Sequence, residues 1–268
     1  MAKARSKPAL KTHWGGVTRW YDDLVGQHGS EYQRQVVLPG TLKLLEVKPG
    51  ERILDVACGQ GVLCRLLHER GAIATGVDAA VGLIERARQL NAALPTGATP
   101  RPDYLLADAR NLKLQADAFD SAACVLAIQN IHPIAPVFEG VARALKPGGR
   151  FVIVMMHPCF RVAGASAWGW DDATRTQYRR VDKYLLPRKT PIFTHPGKKD
   201  GTYTWTFHRP IEDYFKALVK VGLLIDRLEE WPSHKRSESG PRAPAENAAR
   251  REIPMFLAIR AVKPMPRQ

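Results

Sequence analysis

Cysteine is scarce in this chain, with four residues in 268, at positions 58, 64, 124 and 159. That scatter excludes a disulfide framework and fits a reducing compartment. Cys58 and Cys64 are six apart with no second pair to complete a zinc set, so they are expected to be small buried thiols. No apolar run nears the roughly 18 residues that a membrane-crossing helix needs. The basic start, M-A-K-A-R-S-K-P-A-L-K, has no apolar segment behind it and so is not a secretory signal. Residues 1–12 are expected to be a frayed basic tail and the chain to be cytoplasmic. No internal repeat is present.

Acidic side chains are also few, 26 against 40 basic, for a net charge of +14. The excess is uneven. Residues 51–159 carry 11 basic and 10 acidic groups, whereas residues 160–268 carry 21 and 12. A basic flank attracts an anionic small molecule or nucleic acid, or serves solubility alone. The apolar fraction, 45%, is enough for a packed core.

The most informative stretch is Ile53-Leu54-Asp55-Val56-Ala57-Cys58-Gly59-Gln60-Gly61-Val62-Leu63. An apolar run ends in an acid, two glycines follow, and an amphipathic run begins. This reads as strand, tight turn and helix, with the free N–H groups of a helix start beside a carboxylate. The pattern is only a partial dinucleotide fingerprint, because Cys64 stands where a third glycine belongs. Asp55 would repel a pyrophosphate and suits a ligand with a cationic end. Two further apolar runs also end in acids, Ile73 to Asp78 and Tyr104 to Asp108. A lone strand-end Asp is often a helix N-cap, but three beside one glycine loop point to a shared site.

The string D-V-A-C-G-Q-G resembles the first motif of class I S-adenosylmethionine-dependent methyltransferases, and L-K-P-G-G before Phe151 resembles the same family. The specific motifs span about residues 50–160; the likeness extends over about 14–262. It implies a Rossmann-like α/β fold with a seven-stranded sheet, mostly parallel, whose last strand runs antiparallel between the fifth and sixth. Strands are expected near 52–57, 73–77, 103–107, 120–126 and 150–156, with helices at 61–70, 80–93 and 134–145. A helix from Ser30 to Val47 should break or kink at Pro39-Gly40. Further on, a helix at 211–221, a sixth strand at 223–228, a mobile polar loop at 231–251 and a last strand at 253–261 are expected. One domain, 13–268, then divides into N-terminal lid helices (13–48), a cofactor core (49–157), an inserted substrate cap (158–209) and the end of the sheet (210–264). The cap is aromatic, and Tyr203 to Phe207 reads as a strand within it.

The resemblance implies S-adenosylmethionine as cofactor. Its expected contacts are Tyr21 in the lid, Asp55, Ala57, Gly59 and Gly61 at the methionine end, Asp78 with Ala79 at the ribose, Asp108 with Ala109 at the adenine, and Leu126. Histidine is the natural base near neutral pH, and His157 and His132 follow the fifth and fourth strands, so both are candidate catalytic residues. Trp14, Asn130, Arg161 and His208 are candidate substrate contacts. No metal is expected, since no i, i+4 histidine pair joins His132, His157, His195 and His208. The expected activity is methylation of a small organic molecule, anionic or aromatic, with oxygen favoured as acceptor. The place after the fourth strand reads A-I-Q-N-I-H-P and departs from the Asn/Asp-Pro-Pro-Tyr string of amino-methylating enzymes, which weakens a nucleic-acid substrate. RNA or protein as substrate, a cofactor-binding protein without turnover, and an NAD-dependent oxidoreductase remain as alternatives.

Overall fold

Strand alternates with helix from Arg52 onward because short buried apolar runs alternate with amphipathic ones. The computed structural model describes residues 14–94, 97, 99–194 and 203–266; the basic tail and His195 lie outside the described residues. The strands are β1 (Arg52–Val56), β2 (Ile73–Asp78), β3 (Asp103–Leu106), β4 (Phe119–Val125), β5 (Leu145–Met156), β6 (Ser166–Asp171), β7 (Thr176–Val181), β8 (Arg188–Phe193), β9 (Tyr203–His208), β10 (Leu224–Trp231) and β11 (Phe256–Val262). The helices are α1 (Thr18–Val25), α2 (Leu38–Leu45), α3 (Val62–Glu69), α4 (Val81–Ala92), α5 (Ala135–Ala144), α6 (Ile211–Lys220) and α7 (Ala243–Glu252).

Seven strands form one sheet in the order β10-β11-β5-β4-β1-β2-β3. β11 pairs antiparallel with both β10 and β5; the pairs β5–β4, β4–β1, β1–β2 and β2–β3 are parallel. This is the sheet the sequence implies. Alternate residues feed two cores. Leu54, Val56, Phe151, Ile153, Met155, Leu257 and Ile259 pack with Phe138 of α5 and Leu218 of α6 on one face. Ile53, Val152, Val154, Phe256 and Ala258 pack with Leu44 and Leu45 of α2, Leu67 of α3 and Ile84 of α4 on the other. Each of these buried Val, Leu, Ile, Phe and Met side chains stabilises the fold by about 1.5–3 kcal/mol.

The structure corrects three expectations. The helix expected from Ser30 to Val47 runs without a break over residues 31–45. A wide turn over Gln33–Val37, with the Leu38 N–H donating to Gln33 O, comes just before Pro39 and accommodates it near the start of α2. Gly40 is there for space, since a Cβ would lie 2.4 Å from the Trp231 ring. The segment 231–251 is not a loop throughout: β10 reaches Trp231, and α7 begins with a proline in its first turn, where a missing N–H costs nothing. The insert after β5 holds two antiparallel hairpins, β6–β7 and β8–β9, of which only the last strand was expected. Among the described residues, no helix is long and apolar enough to cross a membrane.

Candidate cofactor and substrate site

The carboxyl ends of β1, β2 and β4 open into a cavity of about 280 Å³, walled by Trp14 and Tyr21 of the N-terminal segment on one side and the β8–β9 hairpin on the other. Its floor is the glycine loop. Ala57 (φ 57°), Gly59 (φ 56°) and Gly61 (φ 77°) are left-handed, and the Cys58 N–H donates to Val77 O at 3.0 Å, so the loop bends back over β2. A Cβ on Gly61 would lie 2.4 Å from the Tyr104 hydroxyl. A Cβ on Gly59 would lie 3.1 Å from the Tyr21 ring.

Asp78 ends β2 and lines the cavity. Its carboxylate accepts from the Gly59 N–H at 2.9 Å and the Ala80 N–H at 2.8 Å, tying loop to helix α4. Burial nevertheless raises its pKa, outweighing these donors. A carboxylate has about four acceptor directions, so these two bonds do not exhaust it. Asp108 also lines the cavity and grips Arg110 in a two-pronged pair, 2.6 Å at the shortest. The Arg110 hydrogen bond holds the Asp108 carboxyl below its ordinary range despite partial burial.

The N-terminal segment is fastened to the loop. Gln60 Nε2 donates to Gly26 O (2.8 Å), Arg65 Nη2 to Gln27 O (2.6 Å), and Arg86 of α4 pairs with Asp22 at 3.0 Å. Tyr21 and Trp14 meet edge to face, 5.6 Å between centroids, and both line the cavity. Burial first, then Asp78 and Asp55, raise the Tyr21 pKa, keeping its hydroxyl neutral. Leu126 leaves β4 at φ 53°, and its carbonyl accepts from Gln129 Nε2 (2.9 Å) and Asn130 Nδ2 (3.4 Å). Asn130 lines the cavity, and its buried Oδ1 has no protein partner. Two carboxylates, a bare amide oxygen, close-approach glycines and apolar walls at Leu83, Ala79 and Ala109 suit a cationic nucleoside.

The sequence profile of the family described as methyltransferase domain matches residues 54–153. A crystal structure of an S-adenosylmethionine dependent methyltransferase from Mesorhizobium loti superposes with a TM-score of 0.65 at 30% identity, covering 84% of this chain and 96% of that one. This chain belongs to the class I S-adenosylmethionine-dependent methyltransferases. S-adenosylmethionine is its cofactor. Among curated relatives, a demethylmenaquinone methyltransferase of Corynebacterium kroppenstedtii is 33% identical over 113 residues, 42% of this chain and 45% of that protein. A ubiquinone biosynthesis O-methyltransferase of Xylella fastidiosa is 31% identical over 138 residues, 50% of this chain and 53% of that protein. The chain spans about half the length of the curated relatives it matches.

The methyltransferase cavity gathers Tyr21, Ala57, Gly59, Asp78, Ala79, Asp108, Ala109, Leu126, Trp14, Asn130 and His132 from the expected set. It does not gather five others. Asp55 is 3% exposed beneath the loop, where the Cys64 thiol donates to Oδ2 at 3.4 Å and burial pushes its pKa up to about 7. Gly61 lies behind the loop against Tyr104. His157 is buried: Nε2 meets Glu230 Oε1 of β10 at 2.6 Å, and Nδ1 accepts from the Cys159 N–H at 3.2 Å. Its own N–H donates to Met255 O, so the chain follows the entry to β11 instead of turning to the cavity. Arg161 and Arg179 flank the Trp168 ring at 5.1 and 5.2 Å, and burial lowers the Arg161 pKa to about 10. His208 is buried, with Nε2 donating to Tyr184 O at 2.6 Å.

Sequence reasoning missed Arg110, Lys189, Thr204, Trp205 and Phe207 as wall residues. The aromatics of β9 were visible; Lys189 gave no local signal. Among the described residues, no group of three or more His, Cys, Asp or Glu is set to hold a metal.

Proposed function

We propose that this methyltransferase methylates a small organic molecule, at oxygen. The observation that carries the reading is the walled cavity: Trp14 and Tyr21 of the N-terminal segment and Lys189, Thr204, Trp205 and Phe207 of the insert line it together with the strand tips. Thr206 Oγ1 donates to Gln129 O at 3.3 Å, fastening the insert to the tip of β4. The relatives named for quinone methylation are in keeping with such an acceptor.

When bound, S-adenosylmethionine supplies an electrophilic methyl on sulfur. Asp78 takes the ribose hydroxyls with its remaining acceptor directions. Asp108 and Ala109 take the adenine. Tyr21, Gly59 and Asn130 face the methionine end, while Asp55 offers negative charge from below. The lid and the insert exclude water and align the acceptor. His157 is a structural strut between β5 and β10, not a base.

Calorimetry with S-adenosylhomocysteine should show one saturable site. Incubation of a cell extract with methyl-labelled cofactor should place label in solvent-extractable small molecules. Label found only in precipitable RNA or protein, or no binding heat, would overturn the reading.

A further inference from the structure

The end of the cavity facing the insert has a chemistry that methyl-donor binding does not use. Lys189, on β8, lines it and forms no ion pair among the described residues. Its ammonium instead sits 4.0 Å from the Trp205 ring centroid and 6.0 Å from that of Phe207. Asp108, an acid of the same cavity, pairs with Arg110. Phe207 stacks on the His132 imidazole, 5.2 Å between centroids at 20°. Behind that imidazole stands Arg209, 6% exposed, with Nη2 3.1 Å from His132 Nδ1.

A guanidinium has five N–H donors and no acceptor. His132 Nδ1 must therefore accept, which leaves the proton of the neutral ring on Nε2. Burial, then Arg209, Arg110 and Lys189, hold the His132 pKa below its ordinary value, so the ring is neutral at pH 7. A neutral imidazole with an N–H at Nε2 donates a hydrogen bond there and cannot take a proton at that nitrogen, while its Nδ1 lone pair is engaged by Arg209.

Building on the methyltransferase reading, we infer that this end of the cavity binds an aromatic ring bearing an anionic oxygen, carboxylate or phenolate, and that His132 meets that oxygen as a hydrogen-bond donor. Trp205 and Phe207 supply the ring's faces, and Lys189 supplies the counter-charge. No base is then needed. The oxygen's lone pair forms the bond to the methyl carbon as the carbon–sulfur bond breaks, and that bond's electron pair goes to sulfur. Negative oxygen and positive sulfur are both neutralised, and no proton moves.

The test uses full-length protein saturated with S-adenosylhomocysteine and two pairs of probes: 2-naphthoate with 2-naphthamide, and 4-nitrophenolate (above its pKa) with nitrobenzene. Calorimetry should show at least one anion bound about tenfold or more tighter than its neutral partner. Which pair shows the preference separates a carboxylic acid from a phenol. Lys189→Gln, at an exposed hairpin position, should erase the preference and leave S-adenosylhomocysteine affinity unchanged. Long-range proton–nitrogen spectra should show the His132 proton on Nε2. Equal affinity within both pairs, no probe binding, a preference surviving Lys189→Gln, or a proton on Nδ1 each overturns the inference. Failure of S-adenosylhomocysteine to bind sinks the methyltransferase reading instead, and the charge preference is then read on the unliganded protein.

Discussion

The two walls of the cavity contrast in charge and in construction. The wall proposed to hold the cofactor is made of strand tips and carries Asp78 and the paired Asp108 and Arg110, with Asp55 beneath it. The opposite wall is a hairpin and carries Lys189, with Arg209 behind His132. A positive cofactor and a negative acceptor would each meet the wall of opposite sign, and this polarity would orient them before any reaction. Construction differs as well. The cofactor wall is backbone held in left-handed turns, where few side chains are tolerated. The acceptor wall is side chains on half-exposed strands, where substitution is easy.

That difference is broken most severely at Gly61. Gly61→Val places a β-branched residue at φ 77° and drives its Cβ into the Tyr104 hydroxyl. Strain and overpacking together should cost roughly 3–5 kcal/mol in urea unfolding. A variant as stable as the parent would mean that the loop does not need this geometry. No residue of the acceptor wall should show a comparable loss.

The second effect is electrical. Asp55 has its pKa raised to about 7, chiefly by burial. In the unfolded chain it titrates near 4. Between about pH 4 and 7 the folded protein therefore holds a proton that the unfolded chain has lost. Stability contributed by Asp55 is whole below pH 4 and lost as pH rises to about 7, by up to about 1.4 kcal/mol per pH unit. Asp78 is shifted in the same direction. Asp55→Asn should flatten the slope of unfolding free energy against pH, leaving the share of Asp78; an unchanged slope would remove Asp55 as the source. A cationic cofactor favours the ionised form, so binding near pH 7 should release a fraction of a proton, measurable by calorimetry in buffers of different ionisation enthalpy.

Third comes Asp78→Ala, which removes the proposed ribose acceptor and the tie to the Gly59 N–H. Cofactor affinity should fall at least tenfold, about 1.4 kcal/mol. Unchanged affinity in equilibrium dialysis would detach Asp78 from the site. Lys189→Gln serves as the counterpart on the other wall, altering acceptor binding alone.

The cofactor wall was legible because each of its parts is local. An apolar run ending in Asp55, Asp78 or Asp108 fixes a strand tip, and the glycines fix the turn. Strand order followed from the family likeness and the alternation of elements. The acceptor wall was legible only in part, His132 and the aromatic strand Tyr203 to Phe207 but not their meeting, because its parts come from far apart. His132, Lys189 and Arg209 meet only after the insert folds back over β4, and no spacing announces it. The strands of the insert are half-exposed, so their pattern is weak; the Asx turn at Asp171, whose side chain accepts from Ala173 N at 2.9 Å, was a readable hairpin signal. Helix α7 was masked by nearby prolines although A-P-A-E-N-A-A-R-R-E is a good helix sequence.

The smallest expected effect, on turnover, belongs to His157, and it separates position in sequence from position in space. His157 follows the fifth strand, where a base would stand if the chain turned toward the cavity. Its ring is instead 1% exposed, with both nitrogens engaged by Glu230 and the Cys159 N–H. His157→Ala should lower stability by about 1–3 kcal/mol, through the hole left by a buried ring and the loss of its hydrogen bonds to Glu230 and the Cys159 N–H. The turnover rate of the folded variant should stay within about twofold of the parent, roughly 0.4 kcal/mol in the barrier. His132→Ala should behave in the opposite way, with a smaller loss of stability, because the residue is largely exposed although its ring stacks on Phe207, and a marked loss of acceptor binding. A hundredfold drop in turnover for folded His157→Ala would return that residue to the reaction, and the cavity would then have to extend toward β10.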